Sequence, residues 1–118
     1  MPSPSNKIIW IIGASSGIGE ALVYELVRGN NKVILSARRE DELERVKANC
    51  PSSQQNNIKI LPLDVTEGPS LAQKTETALQ LFGHIDILIY SSGISQRSFA
   101  IETLLEVDRR LMEVNYFG

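Results

Sequence analysis

Residues 8–19 read Ile8-Ile9-Trp10-Ile11-Ile12-Gly13-Ala14-Ser15-Ser16-Gly17-Ile18-Gly19, an unbroken apolar run that ends in three glycines. Five apolar residues in a row are the pattern of a strand covered on both faces, because a strand with one wet face alternates. Ile18, Leu22 and Leu26, four apart, then follow one face of a helix. In a strand-turn-helix context each glycine has a use. Gly13 permits the tight turn, Gly17 removes a side chain where the backbone would approach a diphosphate, and Gly19 lets helix and strand pack closely. The helix start presents unsatisfied N–H donors to an anion. Ser15 and Ser16 add hydroxyls, and Ile18 completes the candidate anion-binding set. The bland alternative is a glycine-rich turn with no ligand. No Gly-Lys-Ser/Thr follows, which excludes a triphosphate-binding P-loop.

Outward from this stretch, aliphatic segments begin at Ile8, Val33, Ile58 and Ile85, roughly 25 residues apart, the rhythm of a βα repeat. Between them Leu43 and Val46, and then Leu71, Ala78 and Phe82, have helical spacing. Gly29 and Gly83 each stand where a left-handed cap residue is wanted. Alternation with this punctuation predicts an α/β fold, a parallel sheet with helices on both faces. The third strand, Ile58-Lys59-Ile60-Leu61-Pro62, alternates and carries a Lys and a Pro, both of which blunt a sheet edge. With right-handed crossovers the expected strand order is 3-2-1-4, the N-terminal half of a doubly wound sheet. The fourth strand, Ile85 to Tyr90, is apolar and would then be an exposed edge. That conflict predicts a longer protein of which 1–118 is a single half-domain, or a partner strand, and with it self-association as a homo-oligomer. Cys50 to Asn57, rich in Ser, Gln and Asn, reads as a solvated loop or frayed helix end.

The bulk properties fit one domain. The chain has 118 residues, 42% hydrophobic and 22% charged, too few for two catalytic domains. A net charge of −2 with no basic run gives nucleic acid no source of attraction. No apolar run approaches the length of a membrane span, and Met1 to Lys7 lacks a signal-peptide pattern. The lone Cys50 closes no internal disulfide and builds no zinc site. The expected location is the cytoplasm.

Gly13 to Gly19 resembles the Gly-x-x-x-Gly-x-Gly fingerprint of the short-chain dehydrogenase/reductases, a family with a Rossmann-type sheet, and the likeness extends along the whole chain. Asp64-Val65 resembles that family's adenine-contacting aspartate and its neighbour, Tyr90-Ser91-Ser92-Gly93 sits where Asn-Asn-Ala-Gly is usual, and Asn115 matches the Asn of the catalytic tetrad. Ser36-Ala37-Arg38-Arg39 and Gly93 to Ser98 are also similar, more weakly, to a subgroup of carbonyl, steroid and retinoid reductases. The resemblance implies hydride transfer between a nicotinamide coenzyme and a small carbonyl or alcohol substrate. It implies cofactor contacts at Ser91, Ser92 and Gly93, and a role for Asn115 in anchoring a water of the proton relay. Leu104, Leu111 and Asn115 share a helical face, so that amide is expected to look inward; the alternative is an Asn that merely ends a helix. Two departures bear on turn geometry. Ile12 replaces the Thr usual before the first glycine, and Tyr90 and Ser91 replace asparagines that bond within the sheet.

NAD-binding units carry an acidic residue after the second strand to accept from ribose hydroxyls. Here the chain reads Ser36-Ala37-Arg38-Arg39, and a guanidinium suits a 2′-phosphate. The expected cofactor is NADP(H), with Arg38 as principal donor and Ser36 and Arg39 as further candidates. The alternative is that Arg38 and Arg39 only pair with Glu40, Asp41 and Glu42. The family's acid, Tyr in Tyr-x-x-x-Lys, and its serine are not found in 1–118. Tyr24-x-x-x-Arg28 lies on the first helix and reads as a decoy. Two other classes compete. One is a dinucleotide-binding or regulatory module without chemistry. The other is a serine hydrolase, since Gly13 to Gly17 fits G-x-S-x-G and Ser15, Asp64 and His84 stand in hydrolase order, although only a short tail and one strand precede Gly13, without the further upstream strand and loop that supply an oxyanion hole.

Overall fold

A computed structural model describes residues 6–15, 17–63, 68–90 and 114–116, with the backbone alone at 18, 68–72, 90 and 114–116. The elements are β1 (Ile8–Ile12), α1 (Gly17–Arg28), β2 (Lys32–Ser36), α2 (Glu40–Ala48), β3 (Ile58–Ile60), α3 (Gly68–Phe82), β4 (Ile87–Tyr90) and β5 (Val114–Tyr116). The sheet has the order β3-β2-β1-β4-β5, and every pairing is parallel. The first four strands therefore keep the expected 3-2-1-4 order of a doubly wound fold.

The continuous apolar run of β1 is explained by what lies on either side of it. Successive side chains of a strand point to opposite faces. Ile9 and Ile11 pack with Val23 and Val27 of α1 and Leu43 and Val46 of α2, whereas Ile8, Trp10 and Ile12 pack with Ala78 and Leu79 of α3. Both sets are buried, so no position of β1 is left for a polar residue. At the other extreme β3 is an edge. Its Lys59 is exposed, and the backbone continues beyond the strand with Leu61 N–H on the Leu35 carbonyl and Leu63 N–H on the Ala37 carbonyl. Pro62 falls between these two donors, at a position facing away from β2, where a missing N–H costs nothing.

Three local expectations are corrected. The apolar β4 is flanked on both sides: β5 lies beside it, with Leu88 opposite Val114, Ile89 opposite Asn115 and Tyr90 opposite Tyr116. This places Asn115 in a strand and not on a helical face with Leu104 and Leu111, which lie outside the described residues. A stretch of three residues is too short for periodicity to decide, and Val114 and Tyr116 are residue types that suit a pleated surface. After α1 the left-handed residue is Asn30 (φ 66°), one beyond Gly29, while Gly83 (φ 95°) caps α3 as expected; asparagine is the residue that tolerates this region best after glycine. Finally, the segment after α2 is no simple loop. Cys50 is buried in the core, and Ser52–Asn57 forms a 3-10 helix tied back by Gln55 to the Lys47 and Cys50 carbonyls.

Three polar residues are buried among the described ones, Asn31, Ser36 and Thr75, and the first two tie elements together. Asn31 accepts from the Lys7 N–H and donates to the Leu26 carbonyl, joining the start of β1 to the end of α1. Ser36 accepts from the indole Nε1–H of Trp10 at 2.7 Å inside the core. Replacing Trp10 with Phe keeps an aromatic ring but strips that hydroxyl of its donor, and should cost about 1–3 kcal/mol in urea unfolding at unchanged slope. The W10F/S36A double variant should recover the part of that loss due to the unsatisfied hydroxyl, and not the part due to the smaller buried ring.

Candidate functional site

At the carboxyl end of β1 the chain turns on one acceptor. The Ser36 carbonyl receives the N–H of Gly13 at 2.8 Å and of Ala14 at 3.1 Å, so the turn is fastened to the end of β2. Gly13 and Gly17 take positive φ values of 88° and 56°. A Cβ on Gly17 would meet nothing within 4 Å, whereas one on Gly19 would fall on the Gly13 carbonyl. The two glycines thus do different work. Gly19 is where helix and strand touch, and Gly17 borders open space at the start of α1, the end of a helix whose N–H groups have no partner within the helix.

The end of β2 supplies the neighbouring charges. Arg38 is exposed and makes no ion pair among the described residues. Arg39, which precedes α2, is engaged by Asp41, with Nη2 2.8 Å and Nε 3.3 Å from the two carboxylate oxygens. That bond raises the guanidinium's pKa and lowers the carboxyl's. Among the described residues, then, one of the two arginines is committed to a surface pair and the other is not. Ser36 is a further candidate donor by sequence, and its hydroxyl is buried against Trp10. Its contribution is the carbonyl that fastens the turn.

A network that local spacing does not reveal braces this turn from the side. Arg45 of α2 reaches Glu20 of α1 through Nη1 and Nη2 at 3.1 and 3.0 Å, and the same Nη2 donates to the Ser15 carbonyl at 3.0 Å. The Tyr24 hydroxyl donates to Glu20 at 2.7 Å, and the Asn49 amide donates to the Tyr24 oxygen. Arg45 first, and Tyr24 second, hold the Glu20 carboxyl below its usual range, and burial raises the Tyr24 phenol. Tyr24 and Arg28 are accounted for structurally, Arg28 by a pair with Glu25.

Ser15 and His84 lie at opposite ends of the sheet. His84 precedes β4, its Nε2 3.3 Å from Asp86, whose carboxylate accepts the Ile8 N–H at the start of β1. The length of β1 separates it from the glycine turn, about 16 Å at 3.3 Å per residue. A Ser15–His84 pair for hydrolysis is therefore not assembled. Ser16, Asp64, Val65, Ser91, Ser92 and Gly93 lie outside the described residues, and of Asn115 only the backbone register beside Ile89 is described. No helix among the described residues is long and apolar enough to cross a membrane.

The family model for short chain dehydrogenases matches residues 7–118, the glycine turn included. The chain belongs to the short-chain dehydrogenase/reductase family. It is 46% identical over 117 residues to dehydrogenase/reductase SDR family member 7 of Homo sapiens, an alignment that takes in 97% of this chain and 34% of that protein. The chain thus spans about a third of the length of this curated relative. Among solved structures it is similar to an alcohol dehydrogenase from Thermococcus sibiricus complexed with 5-hydroxy-NADP (TM-score 0.73, 26% identity, 86% of this chain and 51% of that one). It is also similar to a 3-ketoacyl-(acyl-carrier-protein) reductase from Brucella melitensis complexed with NADH (TM-score 0.68, 29% identity, 78% and 36%).

Within this short-chain dehydrogenase turn the glycines make separable predictions. Gly17→Ala strains only the backbone and should cost about 1–2 kcal/mol. Gly19→Ala meets no such backbone strain, since its φ is not positive, but forces the Gly13 carbonyl aside at an overpacking cost of about 1–3 kcal/mol, and thermal unfolding should show both variants destabilised. Acid adds a third test. Because the Glu20 pKa is lowered from 4.5 in the folded state, its contribution to stability is present above that value and is lost as pH falls below it. Glu20→Gln should therefore flatten the decline of stability with acid below pH 4.5, measured by urea unfolding across pH.

Proposed function

We propose that this chain is the coenzyme-binding half-domain, residues 1–118, of an NADP(H)-dependent short-chain reductase that moves hydride between a nicotinamide and a small carbonyl or alcohol substrate. The observation that carries the coenzyme choice is Arg38. It stands exposed two residues beyond β2, with no ion pair among the described residues, close to the glycine turn, where an NAD-binding unit would carry an acid. A planar guanidinium with free donors favours a 2′-phosphate, and removing an acid removes the acceptor for ribose hydroxyls.

The residues present fit a dinucleotide. Gly17 opens onto space that a side chain would fill, and the first turn of α1 offers N–H groups to a diphosphate. Ser15, Ser16 and Ile18 complete that cradle; Asp64 and Val65 would meet the adenine, Ser91 to Gly93 would line the coenzyme, and Asn115 would anchor a water, each by likeness to the family. When bound, the nicotinamide supplies or accepts the hydride. The acid that protonates the alkoxide is assigned to a Tyr-x-x-x-Lys segment absent from these 118 residues. We assign the protein to the cytoplasm as a homo-oligomer. The relatives complexed with 5-hydroxy-NADP and NADH support the coenzyme class and leave the choice between the two to Arg38.

Calorimetry on the full-length protein tests this. NADPH should bind more tightly than NADH. Arg38→Ala should weaken NADPH by about 10- to 100-fold, the range of a charge-assisted contact, and leave NADH within about twofold. Arg39→Ala, whose side chain is already held by Asp41, should change neither much. Equal affinity for the two coenzymes in the wild type, or equal loss for both in the Arg38 variant, would overturn the assignment.

A further inference from the structure

Glu20 lies in the first turn of α1, the same turn that presents donors to an anion. A carboxylate there is stabilised by the helix dipole in the free protein, but it repels a diphosphate and occupies the positive end that the ligand would use. The structure places Arg45 against it. Arg45 is bidentate to Glu20, donates to the Ser15 carbonyl in the turn, and reaches Glu42 of its own helix at 3.4 and 3.5 Å. The Glu20 side chain is only 23% exposed, so solvent screens this pair less than the surface pairs of Arg28 and Arg39.

We infer that Arg45 is a positioning residue for dinucleotide binding: it neutralises Glu20 beside the diphosphate site and pins the Ser15 carbonyl, so that the turn meets an anion without an opposing charge. The role rests on the dinucleotide reading and is separate from that of Arg38. Arg38 faces the group that distinguishes two coenzymes, while Arg45 acts on the diphosphate that both share.

The test is calorimetry of the full-length protein with NADPH and with NADH at low salt. Arg45→Met should weaken both coenzymes by the same factor, about three- to tenfold, the size of a charge acting at a helix terminus. The loss should shrink at high salt. Adding Glu20→Gln to that variant should restore most of the affinity, a rescue that a purely structural role for Arg45 would not produce. Glu20→Gln alone should tighten both coenzymes about twofold, and this variant decides the matter should Arg45→Met fail to fold. Wild-type affinity in Arg45→Met, or no tightening in Glu20→Gln, would overturn the inference. A wild-type protein that binds neither coenzyme would instead overturn the dinucleotide reading itself.

Discussion

The Ser36 carbonyl, shared between the N–H groups of Gly13 and Ala14, is the constraint on which the rest of the site depends. It carries the β1–β2 pairing past the last residue of β1 and then releases the chain, because the next elements are a left-handed turn and the start of α1. A fixed turn is needed before bare helix-start amides can act as an anion site; donors that wander lose the preorganisation that makes them strong. Ser36 is itself held from the other face by the Trp10 indole, so core packing against α3 and turn geometry are joined through one residue.

Much of this was legible because period and burial agree. The run Ile8 to Ile12 admits no wet face, and the structure covers both; Ile58-Lys59-Ile60 alternates and carries Pro62, and β3 is an edge. The turn was readable in part, since Gly13 takes the positive φ of a tight turn and Gly19 is demanded by contact with Gly13, whereas the positive φ of Gly17 had no signal in the spacing. The fate of the two arginines was not. Ser36-Ala37-Arg38-Arg39-Glu40-Asp41-Glu42 offers several pairings of similar strength, and only the backbone at the start of α2 settles that Arg39 takes Asp41 and leaves Arg38 without an ion pair among the described residues.

The features that were missed share a spacing. Arg45 meets Glu20 and Asn49 meets Tyr24, both 25 residues apart, while Trp10 meets Ser36 at 26 and Lys7 meets Asn31 at 24. Those offsets are close to the βα repeat read from the strand starts. Consecutive parallel strands, and consecutive helices on one face, place residue i beside a residue one repeat later. Helix rules for residues three or four apart cannot find such pairs. A search for complementary polar residues at one repeat length would have found them, and would have marked Glu20 as a charge with a partner.

The replacement of the usual threonine by Ile12 takes on a different meaning in this light. A hydroxyl before the first glycine would have fixed the turn from within β1, and its loss put turn geometry in question. Ile12 instead is buried with Trp10, Ile34 and Leu88, contributing apolar contact, while the fastening moves to the neighbouring strand. Two backbone N–H groups on one carbonyl are less sensitive to the side chain at position 12 than one hydroxyl would be, and Arg45 adds a further hold on the Ser15 carbonyl. The turn is thus secured by β2 and α2, elements one repeat away, and the residue before the first glycine is released to serve the core.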